Sequence, residues 1–186
     1  MTKNVLVFID YDNIKINMRT EPPEKLSEEL GYQRLKEWLS TFGEVAATFV
    51  FAPAVTVSSH IEFFDQMGFI AVACPVLHVT KKEKPALFFQ DEFRPYERDE
   101  VIALNKTDDV MIDVGTKMIQ LMCGVTHICI ASGDHHFIPL AVEAKKLGKK
   151  VMFAFSNYKP SRELLTFADR NPNNRRMLHL FNPIRD

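Results

Sequence analysis

The chain has 186 residues, a length that fits one domain and can bury about 70% of the surface that the unfolded chain exposes. Apolar residues make up 46% of the sequence and charged residues 25%, which excludes disordered, collagen-like and low-complexity chains. The formal net charge of −1 excludes a global positive field, so any polyanion must be bound by a local group of side chains.

Five short apolar runs predict the strands of a parallel sheet. They are continuous rather than alternating and rich in Val, Ile and Phe, as expected of strands that are covered on both faces. In chain order they span residues 5–9, 45–51, 69–74, 127–131 and 151–155.

Segments with helical spacing of apolar residues lie between these runs, at residues 35–42, 61–67, 110–122 and 138–147. The last of them ends at Gly148, a residue suited to the position after a helix. Strands that alternate with helices predict right-handed crossovers and a three-layer α/β/α sandwich with a mainly parallel five-stranded sheet. We see no domain boundary and predict one domain over residues 1–186.

Residues 75–106 interrupt the alternation. A structureless loop of that length is unusual in a compact domain, and its alternating and aromatic pieces predict a hairpin or flap insertion. Its Lys and Arg residues are matched by equal numbers of Asp and Glu, so we interpret it as an edge hairpin or a homodimer contact rather than an RNA-binding surface. The tail contains a short helix candidate at residues 161–169 and an edge-strand candidate at residues 177–181.

The cysteines and the first residues bear on the cellular compartment. Cys74, Cys123 and Cys129 form no C-x-x-C pair and lie in apolar stretches, which predicts reduced thiols in the core and argues against a structural zinc site. The sequence MTKNVLVFIDYDN runs from five apolar residues directly into two acids, so we expect no signal peptide, no membrane partner and a cytoplasmic protein.

Acids occur at the points where several predicted elements meet the carboxyl edge of the sheet, the place where open α/β sheets bind their ligands. Asp10 ends the first strand, and Asp134 follows the fourth. A third group lies at the start of a helix and one turn later: Asp108, Asp109 and Asp113.

Each acid also has a purely structural explanation. Asp favours turns and helix N-termini, and Asp113 can pair with Lys117 on an exposed helix face. The functional interpretation depends on convergence, because the carboxylates would share one pocket if the first and fourth strands were neighbours.

Clustered carboxylates need compensation, since two unit charges about 4 Å apart repel by about 4 kcal/mol at an effective dielectric constant of 20. Raised pKa values are one solution, and a hard divalent cation is the other. Oxygen ligands favour Mg²⁺ or Mn²⁺, and His135 and His136 beside Asp134 would admit Mn²⁺ or another transition metal. A surface role for both histidines is the alternative.

Three motifs, VFIDYDNI, KTDDVMID and ICIASGDHHFIPLAVEAKKLGKKVMFAF, resemble the NYN domain, in the LabA-like branch of the PIN-like nuclease superfamily, over residues 3–170. The resemblance implies a sheet in the order 3-2-1-4-5, in which the first and fourth strands are neighbours. It also implies a metal-dependent endoribonuclease, a hydrolase that acts on single-stranded or structured RNA. The family's acids fall on Asp10, Asp109 and Asp134, aided by Asp108, and its asparagine on Asn13.

Two positions depart from the family's pattern. The second acid of S-G-D-x-D is replaced by His136, and the acid six residues after the helix-start acid is replaced by Gly115, which leaves Asp113 as a displaced substitute. A chain that keeps the fold but has lost ligands could bind RNA without cutting it.

The resemblance leads to further expectations about individual residues. Metal ligands are expected among Asp10, Asp108, Asp109, Asp113 and Asp134. We expect other side chains to orient these carboxylates rather than to act as nucleophiles: Asp12, Asn13, Ser132 and His136. Phosphate contacts are expected from Arg170, Arg175 and Arg176.

Two alternatives to a nuclease stay open. One is a non-catalytic RNA-binding or regulatory module, which metal binding at three carboxylates would argue against. The other is a phosphatase, because Asp10 and Asp12 after an apolar strand also resemble the nucleophile and acid pair of haloacid dehalogenase-type phosphatases. The later segment GDHHFI lacks the second acid of that family.

Overall fold

The computed structural model of the protein describes residues 4–18, 28–82, 99–155, 160–169 and 177–179. Within these residues, no helix is both long enough and apolar enough to cross a membrane.

The main sheet has six parallel strands in the order β3-β2-β1-β6-β7-β8. The eight strands of the described residues, numbered along the chain, are β1 (Asn4–Asp10), β2 (Glu44–Pro53), β3 (Ile70–Cys74), β4 (Val76–Lys82), β5 (Asp99–Asn105), β6 (His127–Ala131), β7 (Lys150–Phe155) and β8 (Met177–His179). The five predicted apolar runs became β1, β2, β3, β6 and β7 in the predicted order. β8 adds a sixth strand at the edge, where the tail sequence predicted one.

Six α-helices lie among the described residues: α1 (Tyr11–Met18), α2 (Glu28–Ser40), α3 (Ala54–Gln66), α4 (Thr107–Leu121), α5 (Ile138–Lys146) and α6 (Arg162–Asp169). A 3₁₀ turn, His135–Phe137, precedes α5. Gly148 follows α5 with φ +72°, as predicted for a residue after a helix end. α1 was not predicted, although its Tyr11 and Ile14 are fully buried.

Two apolar cores cover the two faces of the sheet, as the alternation of side chains along β1 shows. Val5, Val7 and Ile9 lie in one core, and Leu6 and Phe8 lie in the other. Since successive residues of a strand point to opposite faces, helices must cover both sides. The three-layer α/β/α sandwich is confirmed.

The insertion begins and ends as a two-stranded antiparallel hairpin. β4 pairs with β5 from Val76 opposite Asn105 to Lys82 opposite Asp99, so the predicted hairpin is confirmed for these strands. The aromatic and charged residues between them, 83–98, lie outside the described residues.

One prediction about the cysteines needs correction. Cys74 and Cys129 are buried, as expected, but Cys123 is exposed. It lies beyond the last residue of α4, in the connection to β6, so the apolar residues around it do not place it in the core.

Candidate functional site

The site lies at the carboxyl edge of the sheet, between two adjacent strands. β1 and β6 are parallel neighbours, with Val5 opposite His127 and Ile9 opposite Ala131. The next residues along the two strands, Asp10 and Ser132, therefore emerge side by side.

Asp10 is the buried acid of the site, with 5% of its surface exposed. Its Oδ2 accepts a hydrogen bond from the Ser132 hydroxyl at 3.1 Å, and its Oδ1 accepts one from the Asn13 N–H at 3.4 Å. Burial raises the pKa of Asp10 to about 7, and the nearby charges of Asp108 and Asp12 act in the same direction against those two hydrogen bonds. Without a cation, this carboxyl group is therefore expected to titrate near neutral pH.

The loop after β6 is attached to the first strand and helix through two side chains. Ser132 Oγ, which donates to Asp10, also accepts the backbone N–H of Asp134 at 3.2 Å. Asn13 Oδ1 accepts the backbone N–H of Gly133 at 3.0 Å. These bonds place Asn13 and Ser132 next to the two acids, and their role in orienting metal ligands stays a prediction.

Asp134 begins the 3₁₀ turn and brings two imidazoles to its carboxylate. Its Oδ1 accepts the backbone N–H of His136 at 3.1 Å. The same oxygen lies 3.2 Å from Nδ1 of His135 and 3.3 Å from Nδ1 of His136. In the part of the chain that the structure describes, these three residues form a group whose ligand atoms lie within 4.8 Å of one another, close enough to hold one ion.

Asp108, in the first turn of α4, is the third acid of the pocket. Its Oδ2 lies 3.3 Å from Nδ1 of His136, and its side chain is 41% exposed. Burial raises the pKa of Asp108, and the charge of Asp134 raises it further, while His136 lowers it. Asp108 is therefore in electrostatic contact with both other acids, because its charge also raises the pKa of Asp10.

Asp109, the acid that the resemblance assigned to the helix start, pairs with a neighbouring lysine instead of the two histidines. Its side chain is 69% exposed, and its Oδ2 pairs with Nζ of Lys106 at 2.8 Å. Successive helical residues diverge by about 100°, and here Asp108 is the acid of the pair that lies next to His136. Asp113 is also directed elsewhere, since its carboxylate is 64% exposed and pairs with Lys117 at 2.7 Å.

A family model, the NYN domain, matches residues 4–171. The chain belongs to the NYN domain family. No curated protein and no solved structure shows significant similarity to the chain. NYN domains are PIN-like, are generally nucleases and typically bind RNA.

Gly115, where the resemblance led us to expect an acid, is a buried residue of α4. A Cβ atom at this position would lie 3.1 Å from both methyl groups of Leu140 and 3.6 Å from Cζ of Phe8. A larger side chain at this position would have to displace Leu140 and would lie among apolar groups. Asp113, which pairs with Lys117 on the exposed face of the helix, does not occupy this position either.

Asp12 lies on α1, half-buried beside the site. Burial raises its pKa, and the charge of Lys15 lowers it. The phosphate contacts expected from Arg170, Arg175 and Arg176 fall outside the described residues.

A lysine and a histidine join α1 to α3, a contact that the sequence analysis did not predict. Nζ of Lys15 donates to the Tyr11 hydroxyl at 3.0 Å and contacts Nε2 of His60 at 2.7 Å. The spacing of Tyr11 and Lys15 by four residues is a local signal once α1 is recognised as a helix. His60 is 45 residues away from Lys15 along the chain, and no pattern in the sequence connects the two.

Proposed function

We propose that this NYN protein is an endoribonuclease that depends on a divalent cation and hydrolyses phosphodiester bonds in single-stranded or structured RNA. The observation that carries the proposal is the buried carboxyl group of Asp10, joined through Ser132 to Asp134 and in electrostatic contact with Asp108. The order of the three sequence motifs also leads us to propose that the chain belongs to the LabA-like branch.

The donor set fits a divalent cation. Burial raises the pKa values of Asp10 and Asp108, and the charges of neighbouring acids raise them further, as expected of buried carboxyl groups near like charges. Carboxylate oxygens suit Mg²⁺ and Mn²⁺. We propose Asp10, Asp108 and Asp134 as the ligands that such an ion would bind.

The residues of the pocket have separate tasks in this mechanism. A bound dication would supply a water of lowered pKa and would neutralise charge on the phosphodiester. Ser132 holds Oδ2 of Asp10 in place through its hydroxyl, and Asn13 fixes the loop that carries Asp134. Hydrolysis then joins the oxygen of a water molecule to phosphorus and releases a ribose oxygen in line with the attack.

Membership of the NYN family favours RNA as the substrate over the small phosphomonoesters of the phosphatase alternative. The non-catalytic RNA-binding module shares the same family and the same three acids. Only the measurement of cleavage separates it from the nuclease.

Cleavage of single-stranded and structured RNA tests the proposal, with Mg²⁺, with Mn²⁺ and with EDTA. Asp10→Asn and Asp134→Asn should each lower the rate at least about 100-fold, equivalent to about 2.7 kcal/mol of activation free energy. Asp113→Asn is the matched control, because it makes the same chemical change at an exposed acid outside the pocket.

Three results would contradict the proposal. RNA binding without cleavage in any metal would indicate the regulatory module. Cleavage that survives both substitutions would remove the assigned site, and hydrolysis of phosphomonoesters but not RNA would indicate the phosphatase.

A further inference from the structure

His136 stands where the family's pattern has a second acid, and its ring lies between two of the three carboxylates. We propose that Nδ1 of His136 is itself a metal ligand and that this nitrogen makes the site prefer Mn²⁺ to Mg²⁺. The inference rests on the proposed metal site and adds to it the identity of one ligand and the selectivity for the ion.

The distances around His136 are those of neighbouring ligands on one ion. Its Nδ1 lies 3.3 Å from Oδ1 of Asp134 and 3.3 Å from Oδ2 of Asp108. Two ligand atoms that are each about 2.1 Å from an ion and at right angles to each other lie about 3.0 Å apart. His136 and Asp134 also belong to the group of residues whose ligand atoms lie within 4.8 Å of one another, so one cation can contact both of them.

Among the acids of the described site, His136 contacts two that belong to separate elements, whereas His135 contacts Asp134 alone. The ring of His136 touches Asp134 in the loop after β6 and Asp108 at the start of α4, and Nδ1 of His135 lies near Asp134. The backbone N–H of His136 also bonds to Asp134, which fixes the turn and so the direction of the ring. We therefore assign the nitrogen ligand to His136.

Replacing an acid by an imidazole changes which ions the pocket favours. The imidazole removes one negative charge and offers a nitrogen donor in its place. Mg²⁺ strongly prefers oxygen ligands and keeps its waters, while imidazole binds first-row transition metals well. The loss of the carboxylate therefore weakens Mg²⁺ binding more than Mn²⁺ binding.

A competing explanation uses the same distances. A protonated His136 could act as a counter-ion for Asp108 and Asp134, with no nitrogen bound to any metal. Under that explanation, a bound Mn²⁺ would have only oxygen neighbours.

Electron paramagnetic resonance of Mn²⁺ distinguishes the two explanations without any measurement of catalysis. Loss of the free-ion signal gives the Mn²⁺ affinity, competition gives the Mg²⁺ affinity, and pulsed measurements detect ¹⁴N coupling to the bound ion. The native protein should show ¹⁴N coupling and bind Mn²⁺ at least about tenfold more tightly than Mg²⁺.

Substitution of the two histidines provides a matched pair. His136→Asp should abolish the ¹⁴N coupling and reduce the preference for Mn²⁺ several-fold, and His136→Gln should abolish the coupling as well. His135→Gln should leave both the coupling and the preference as they are. The His136 side chain is 57% exposed, and circular dichroism verifies that each variant is folded.

Native Mn²⁺ bound without ¹⁴N coupling would overturn the inference and leave the nuclease proposal intact. An unchanged preference in His136→Asp would do the same, as would coupling that is lost in His135→Gln and kept in His136→Asp. If the native protein binds neither ion at millimolar concentrations, both the proposal of a metal-dependent nuclease and this inference are contradicted.

Discussion

The hydroxyl of Ser132 donates a hydrogen bond to Oδ2 of Asp10 at 3.1 Å, between residues 122 positions apart in the chain. Ser132 is 1% exposed, and its Oγ also accepts the N–H of Asp134. One small side chain thus connects the acid at the end of β1 to the acid after β6. The relative position of the two acids depends on it.

Ser132→Ala should weaken Mn²⁺ binding about 10- to 100-fold, as removal of an outer partner of a metal ligand typically does. The variant leaves Oδ2 of Asp10 without its donor, and the pKa of Asp10 should rise further because that hydrogen bond lowers it. Titration with Mn²⁺ measures the effect. Ser58→Ala is the control, since the Ser58 hydroxyl bonds only to the Ala54 carbonyl among the contacts described. Equal Mn²⁺ affinity in native protein and Ser132→Ala would contradict this role.

The two adjacent acids of α4 allow a sharper comparison. Asp108→Asn should lower RNA cleavage and Mn²⁺ affinity at least about tenfold, because the carboxylate of Asp108 lies within the pocket. Asp109→Asn loses an exposed pair with Lys106, a type of interaction that contributes about 0–1 kcal/mol, and removes the smallest of the charge effects on the pKa of Asp108. It should cleave RNA at nearly the native rate.

If Asp109→Asn lowered cleavage and Asp108→Asn did not, Asp109 rather than Asp108 would be the acid that α4 contributes to the site. Parallel assays of the two variants with the same RNA and the same Mn²⁺ concentration make the comparison direct.

The sequence predicted the sheet well because its signal is local and repeated. Buried parallel strands are continuous apolar runs, and each of the five runs appears as a strand. The same sequence could not decide between Asp108 and Asp109. Both suit a helix N-terminus, and the choice depends on the rotation of α4 against the sheet, which the packing of Gly115 against Leu140 helps to set.

α1 escaped prediction for a related reason. Its first turn contains Asp12 and Asn13, residues that are poor helix formers in isolation. Tyr11 and Ile14 are buried in the core that contains Val5, Val7 and Ile9, and this burial stabilises the helix. The core also includes residues that are distant in the chain. The link between Lys15 and His60 escaped prediction in the same way.

Restoring the family's missing acid at Gly115 should harm the protein rather than improve the site. Gly115→Asp places a carboxylate against Leu140 and Phe8, in the core that also contains Leu6. An unpaired buried charge costs about 3–5 kcal/mol, so the urea midpoint should fall sharply and Mn²⁺ affinity should not rise. Asp113→Asn, at an exposed position two residues away, should change the free energy of unfolding by less than about 0.5 kcal/mol. Native-like stability of Gly115→Asp with tighter Mn²⁺ binding would refute this reasoning.

The raised pKa of Asp10 makes stability depend on pH in a predictable direction. The pKa is about 7 in the folded protein and 3.8 at its ordinary value, so the folded state holds the proton more tightly. Its contribution to stability is complete below about pH 4 and is lost as the pH rises to about 7. The size is on the order of 4 kcal/mol, since one pKa unit corresponds to about 1.4 kcal/mol.

Asp10→Asn removes this titration. In EDTA, we expect the variant to be more stable than the native protein at pH 8 and close to it at pH 4, with urea unfolding as the measurement. The difference between the two proteins isolates Asp10, because the other acids titrate in both. Saturating Mn²⁺ at pH 8 should stabilise the native protein and leave Asp10→Asn nearly unchanged, since a ligand stabilises only the state that binds it. If the variant were equally destabilised at both pH values, Asp10 would have a structural role and would not be a metal ligand.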